Sequence, residues 1–167
     1  VASKYVLDGA EFKKELSILR ETIKTDDMIN IRIAESLIKR KFRKIGCLGL
    51  SYKGNLKVSI LSPTIPFVRT LVARGATVEI FDPYFSQSEI SDILGIKTFS
   101  FPDDLGSFDA IVLITDHKEY ALPKAQLLRH LRGCTFILDN TGLWKRHRRD
   151  FAEQNITFHL AGDSHWL

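Results

Sequence analysis

Lys44-Ile45-Gly46-Cys47-Leu48-Gly49-Leu50-Ser51-Tyr52-Lys53 is the stretch that decides the fold of this chain. Ile45 to Leu50 is a short, continuously apolar run, as expected of a strand covered on both faces. It runs into a turn that carries Ser51, Tyr52 and Lys53. Downstream, Ser62-Pro63 is a helix-start signal, with serine as cap and proline at the first helical position. Ile65, Val68 and Val72 then give the inward stripe of a helix that stops at Gly75. Thr77-Val78-Glu79-Ile80-Phe81 is a second strand, closed by Asp82-Pro83. Strand, helix and strand in this order make one right-handed βαβ unit.

The alternation continues along the chain. A short helix is expected around residues 88–94 and a small strand at 97–99. Ala110-Ile111-Val112-Leu113-Ile114 is apolar throughout and predicts a central strand. Residues 118–132 predict a helix, 135–138 a strand, 144–154 a helix and 156–159 a last strand. The expected fold class is therefore α/β: a Rossmann-like, doubly wound, mostly parallel sheet of six strands over residues 44–167. Residues 1–43 predict a helical lead-in. Phe12, Leu16, Leu19 and Ile23 fall on one stripe over residues 8–24, and Asp26-Asp27 then caps a second helix bearing Ile29, Ile33, Leu37 and Ile38.

Composition narrows the function classes. Of 167 residues, 44% are hydrophobic and 26% charged, which suits one ordinary globular domain. No apolar run approaches the roughly 20 residues needed to cross a bilayer. The opening Val1-Ala2-Ser3-Lys4-Tyr5 does not resemble a signal peptide, and it lacks an initiator methionine, as expected of a piece of a longer protein. Cys47 and Cys134 both sit in apolar strand-like runs, so a structural role and a reducing, cytoplasmic location are expected. The net charge of +4 is concentrated in Lys39-Arg40-Lys41 with Arg43-Lys44, and in Lys145 to Arg149. Nucleic-acid binding is one reading of these runs. No aromatic residue alternates with the second run as a stacking platform would require, and a solvated helix face accounts for both.

In an open α/β sheet, ligands bind beyond the carboxyl ends of the strands. That edge should collect residues 50–61, Asp82-Pro83-Tyr84, Thr115-Asp116-His117 and Asp139 to Gly142. The glycines at 46, 49 and 54 do not form G-x-G-x-x-G, and about 11 residues separate the strand from the helix, where a dinucleotide turn is tight. Asp82 sits where a ribose-binding acid would sit, and equally where a turn would start. Lys53 pairs with a phosphate or a hydroxyl-rich sugar, or it is a solvated lysine beside a core tyrosine; spacing leaves both open. Tyr52 either stacks on a base or packs on the sheet. The helix start near Ser62 is expected to offer free backbone N–H groups.

These segments carry a resemblance. Residues 44–53, with their Gly-Leu-Ser-Tyr-Lys turn, resemble the opening of the C-terminal domain of the UDP-glucose/GDP-mannose dehydrogenase family. Ser62-Pro63, Gly75-Ala76-Thr77-Val78 with Phe81-Asp82-Pro83-Tyr84, and Thr115-Asp116-His117-Lys118-Glu119-Tyr120 resemble later motifs of the same domain. The resemblance implies an NAD-dependent enzyme that oxidises the C6 alcohol of a UDP-sugar to a uronate, as in polysaccharide biosynthesis. It implies that NAD and the catalytic cysteine belong to other domains, that the intact protein is a homodimer, and that residues 8–43 end its middle, dimerising region. For this chain it implies a UDP-sugar or related nucleotide sugar as partner, with Leu50, Ser51, Tyr52 and above all Lys53 as substrate-binding residues. No cofactor, catalytic residue, metal, nucleic acid or membrane is assigned to the chain itself.

There are departures. The family usually reads Pro-x-Thr-Asp-Asp-x-Arg between the lysine and Ser-Pro; here Lys57 and Val58 replace the acidic pair and Ile60 the arginine. An arginine often follows the fifth-strand aspartate; here Asp139 is followed by Asn140-Thr141-Gly142. A diverged structural or regulatory domain of the same fold is the alternative reading.

Overall fold

A computed structural model describes residues 17–163. Helix α1 (Ser17–Lys39) comes first. Strand β1 (Lys44–Leu48), helix α2 (Thr64–Ala73) and strand β2 (Thr77–Phe81) form the βαβ unit. Helix α3 (Gln87–Leu94), β3 (Lys97–Thr98), β4 (Ala110–Leu113), α4 (Lys124–His130), β5 (Phe136–Asp139), α5 (Arg148–Glu153) and β6 (Thr157–Leu160) complete it.

The six strands lie in the order β3-β2-β1-β4-β5-β6, and every neighbouring pair is parallel. The winding direction reverses between β1 and β4, so the crevice there is the topological switch point. The alternation of side chains along each strand separates two cores. Ile45, Cys47, Val112 and Leu138 face one layer with α1, α2 and α3; Leu48, Ile111, Leu113 and Ile137 face the other with Leu127, Trp144 and Phe151.

Four local expectations change. Asp26-Asp27 does not divide the lead-in, because α1 runs through it. No proline or glycine stands in that helix, and an interior aspartate costs less than about 0.7 kcal/mol. Burial of Ile33, Ala34 and Leu37 in the same cluster as Val112 and Leu138 holds α1 on the sheet. Phe12 and Leu16 lie outside the described residues, as do the side chains of Leu19 and Ile23. On α2 the buried stripe is Thr64, Phe67, Val68 and Leu71, and Val72 is 45% exposed. The larger Phe67 and Leu71 take the inward positions, at i, i+3, i+4 and i+7 spacing from Thr64.

Residues 118–132 do not form one helix. A 3₁₀ turn at Lys118–Tyr120 is separated from α4 by Pro123, which lacks an N–H and disfavours helical backbone in the residue before it. Residues 144–154 likewise split into a 3₁₀ turn, Lys145–His147, and α5. In that basic run, Arg148 pairs with Asp163 and Arg146 donates to the buried His147, while Lys145 and Arg149 are exposed.

Candidate functional site at the switch-point edge

Gly49 leaves β1 with φ +105°, a conformation that L side chains rarely adopt. A Cβ there would lie 2.5 Å from the Thr115 side chain. Glycine thus lets the chain turn tightly against the end of β4. The Gly49 N–H donates to the Phe81 carbonyl at 2.9 Å, and the Thr64 hydroxyl donates to the Gly49 carbonyl at 2.9 Å.

The turn that follows is built around Asp82. Its Oδ2 accepts from the Leu50 and Ser51 backbone N–H groups, both at 2.8 Å, and from the Ser51 hydroxyl at 3.0 Å. His117 Nε2 reaches the same oxygen at 3.1 Å. Oδ1 accepts the Tyr84 N–H at 2.9 Å. Burial favours the neutral acid and pushes the Asp82 carboxyl up. The His117 hydrogen bond and the Ser51 and Tyr84 backbone donors outweigh it, so the group lies below the usual carboxylate range.

The sequence left Asp82 as either a ribose acid or a turn starter. The Tyr84 bond is the turn starter. The other oxygen faces inward and is saturated with donors, so it is not presented to a ligand.

His117 carries the network onward. Its Nδ1 accepts the Asn55 N–H at 3.0 Å, which leaves the ring hydrogen on Nε2, facing Asp82. Asn55, at φ +60°, accepts the Lys118 N–H on its side chain at 3.0 Å. Thr115 donates to the Ser51 carbonyl at 2.7 Å, and the Tyr52 N–H reaches the Val58 carbonyl at 2.7 Å. The ends of β2 and β4 thus hold both flanks of the turn. Tyr120 closes the base: its ring meets His117 edge-on at 5.3 Å and its hydroxyl donates to the Phe81 carbonyl. Burial first, then the Asp82 and Glu119 charges, pushes that phenol well up.

The four residues singled out from the sequence separate into two pairs. Leu50 and Ser51 are buried, and their N–H groups belong to Asp82. Tyr52 is 45% exposed and Lys53 is exposed. Tyr52 therefore does not pack into the sheet. Lys53 makes no ion pair with any described residue, whereas Lys57 pairs with Glu89 at 2.6 Å and lies over the Phe85 ring. That pairing, with the Ser86 donors that complete the capping box of α3, draws the Glu89 carboxyl down to about 2. Lys57 is thus committed to α3, away from the turn.

One expected feature is absent. The start of α2 offers no free N–H groups: Thr64 N–H goes to the Ser62 hydroxyl, Ile65 N–H to the Ser62 carbonyl and Phe67 N–H to the Pro63 carbonyl, while Pro66 has none. The helix itself begins at Thr64, one residue later than Ser62-Pro63 predicts. These residues do not fit a dinucleotide. The connection spans residues 49–63, the helix donors are used, and the acid at the end of β2 is enclosed. A second aspartate loop stands at the end of β5, where Asp139 accepts from Thr141, Gly142 and Trp144 backbone N–H groups. Among the described residues no group of His, Cys, Asp and Glu is placed to hold a metal, and no helix is long and apolar enough to cross a membrane.

The sequence profile of the UDP-glucose/GDP-mannose dehydrogenase family, UDP binding domain, matches residues 46–146, the span that contains the whole turn and its supports. The chain belongs to this family. An NDP-N-acetyl-D-galactosaminuronic acid dehydrogenase of Ralstonia solanacearum is 29% identical over 112 residues, 65% of this chain and 25% of the relative. A UDP-N-acetyl-D-mannosamine dehydrogenase of Methanococcus aeolicus is 25% identical over 158 residues, 83% of this chain and 32% of the relative. The chain therefore spans about a quarter to a third of these relatives' length.

Among solved structures, a UDP-N-acetyl-mannosamine dehydrogenase from S. aureus superposes with a TM-score of 0.67 at 14% identity, covering 95% of this chain and 36% of that one. A UDP-glucose dehydrogenase from Pyrobaculum islandicum gives 0.62 at 17%, covering 86% and 31%. At these identities the likeness speaks for the shared fold.

Asp82 and His117 were the parts least visible as a unit in the sequence. Each stands in a family motif, but they are 35 residues apart and meet only because β2 and β4 both flank β1.

Proposed function

We propose that this chain is the nucleotide-sugar-binding domain of an NAD-dependent UDP-sugar 6-dehydrogenase, and that Lys53 is its principal substrate contact. The observation that carries this reading is the exposed Lys53 ammonium, without an ion-pair partner among the described residues, at the apex of a turn whose flanks are anchored in the sheet. A lysine so placed suits the diphosphate or a sugar hydroxyl of a nucleotide sugar. Tyr52 beside it offers an exposed ring for a base or sugar face, while Leu50 and Ser51 serve through the backbone geometry they fix. Family membership supports the substrate class. In this reading the intact protein oxidises the sugar C6 alcohol to a carboxylate, with NAD and the reacting groups held by other domains and the whole working as a cytoplasmic homodimer. Residues 1–43 are then the end of the preceding region and residues 44–167 the binding domain.

Calorimetric titration of the chain with UDP, UDP-sugars and GDP-mannose tests the proposal, with Lys53→Ala as control. Binding of a uridine ligand that Lys53→Ala weakens supports it. Absence of heat with every ligand overturns it.

A further inference from the structure

Lys53 sits midway along an arc of five residues whose two ends meet through buried side chains. At one end Ser51 gives Asp82 both its N–H and its hydroxyl. At the other, Asn55 gives its N–H to His117 Nδ1. Asp82 and His117 are joined to each other at 3.1 Å, and neither side chain reaches solvent. The path from Ser51 through Asp82 and His117 to Asn55 therefore closes a ring, and Lys53 stands opposite its buried side.

Three further contacts stiffen the arc. Tyr52 is tied to Val58, the Asn55 side chain accepts from Lys118, and Gly54 lies so close to Asp116 that a Cβ would come within 2.5 Å of its carbonyl. Asn55 holds a left-handed backbone that asparagine tolerates and most residues do not.

We propose that Asp82, His117 and Asn55 are positioning residues for Lys53, a role that rests on the nucleotide-sugar reading above. The ring spans three segments of the sheet edge and leaves the Lys53 side chain exposed at its apex. The ordering cost of the arc is met during folding and not when an anion binds, which raises affinity through preorganisation. His117 is the link, because its two nitrogens serve the two ends of the arc separately.

Two conservative substitutions separate the two links. Glutamine overlays an amide nitrogen on Nε2, so His117→Gln keeps the donor to Asp82 and loses the acceptor for Asn55. Asparagine overlays an amide oxygen on Nδ1, so His117→Asn keeps the Asn55 acceptor and loses Asp82. Asn55→Gly permits the same left-handed backbone conformation, removes the acceptor for Lys118 and loosens the arc at that residue.

The test is titration of the 167-residue chain with UDP, followed by NMR shifts so that millimolar affinities are measured, with urea unfolding to establish that each variant is folded. Each of the three substitutions is expected to weaken UDP binding about three- to tenfold in the wild-type background, and to have no further effect when added to Lys53→Ala. A loss of the same size in both backgrounds would mean that these residues act independently of Lys53, and it overturns the proposal. So does unchanged affinity in all three variants of a chain that itself binds UDP. Should the wild-type chain not bind UDP at all, the ligand reading falls first and this one with it.

Discussion

His117 Nε2 stands 3.1 Å from Asp82 Oδ2, with both side chains shut off from solvent. This contact joins the end of β2 to the loop after β4 beneath the turn that carries Lys53. Removing either member leaves the other, and the removed residue's own partners, unmatched, and a buried donor or acceptor left unmatched costs about 1–3 kcal/mol.

The Asp82 carboxyl is drawn below its ordinary value, burial opposing and the His117, Ser51 and Tyr84 hydrogen bonds prevailing. Its contribution to stability is therefore whole above the unfolded value of about 3.9 and is lost as pH falls through the folded one. Asp109, lowered by the Lys44 and Arg43 backbone N–H groups, acts in the same direction. The carboxylate contribution should appear as a fall of the urea midpoint on acidification below about pH 4. Asp82→Asn should flatten part of that fall. A midpoint that stays constant to the acid limit contradicts the assignment.

Glycines at two turns should respond differently to alanine. At Gly49 a Cβ meets Thr115 at 2.5 Å with φ at +105°; at Gly75 φ is +84° but nothing lies within 4 Å. Gly75→Ala should cost about 1–2 kcal/mol of backbone strain. Gly49→Ala adds overpacking and should cost about 3 kcal/mol or more. Urea unfolding of the two variants compares them directly, and equal costs would remove the argument for the tight turn.

Lys53→Ala should separate binding from folding. The side chain is exposed and makes no ion pair with the described residues, so stability should stay within about 0.5 kcal/mol of wild type. Affinity for UDP should fall tenfold or more, the scale of one charged hydrogen bond. A variant that unfolds, or one that binds as before, speaks against the role given to this lysine.

Leu37→Ala tests whether α1 belongs to the core. Leu37 is fully buried in the cluster that includes Val112 and Leu138. Its truncation should cost about 2–5 kcal/mol in chemical unfolding. A neutral result would mean that residues before β1 fold apart from the sheet.

Neither cysteine should react while the chain is folded. Burial pushes the Cys47 thiol far up and the Cys134 thiol up to about 11. A thiol reagent at neutral pH should label both only in denaturant. Labelling of the native chain at either position would contradict the burial.

The strands were legible because apolar runs such as 110–114 occur where both faces of a parallel sheet are covered, and β4 lies within that run. Lys53 was legible as a candidate because a lysine follows a strand directly through a glycine turn. Helix details were less so. Val72 and Leu71 are equally apolar, and only packing against the sheet decides which of them faces in. Asp26-Asp27 looks like a break, yet the anchoring of Ile33 and Leu37 on the sheet overrides a weak local preference. The helix start at Ser62 looked like an anion site, and its N–H groups prove to be spent on Ser62 and Pro63.

The sequence by itself determined the α/β class, the order of strands and helices along the chain, and the turn on which Lys53 lies, since periodicity and turn chemistry are local properties. Only the tertiary structure decided that Tyr52 and Lys53 face outward while Leu50 and Ser51 are enclosed, and that Asp82 serves the turn and not a ligand. Those outcomes depend on β2 and β4 lying on either side of β1. That arrangement brings a carboxylate and an imidazole 35 residues apart to one oxygen–nitrogen contact under the turn.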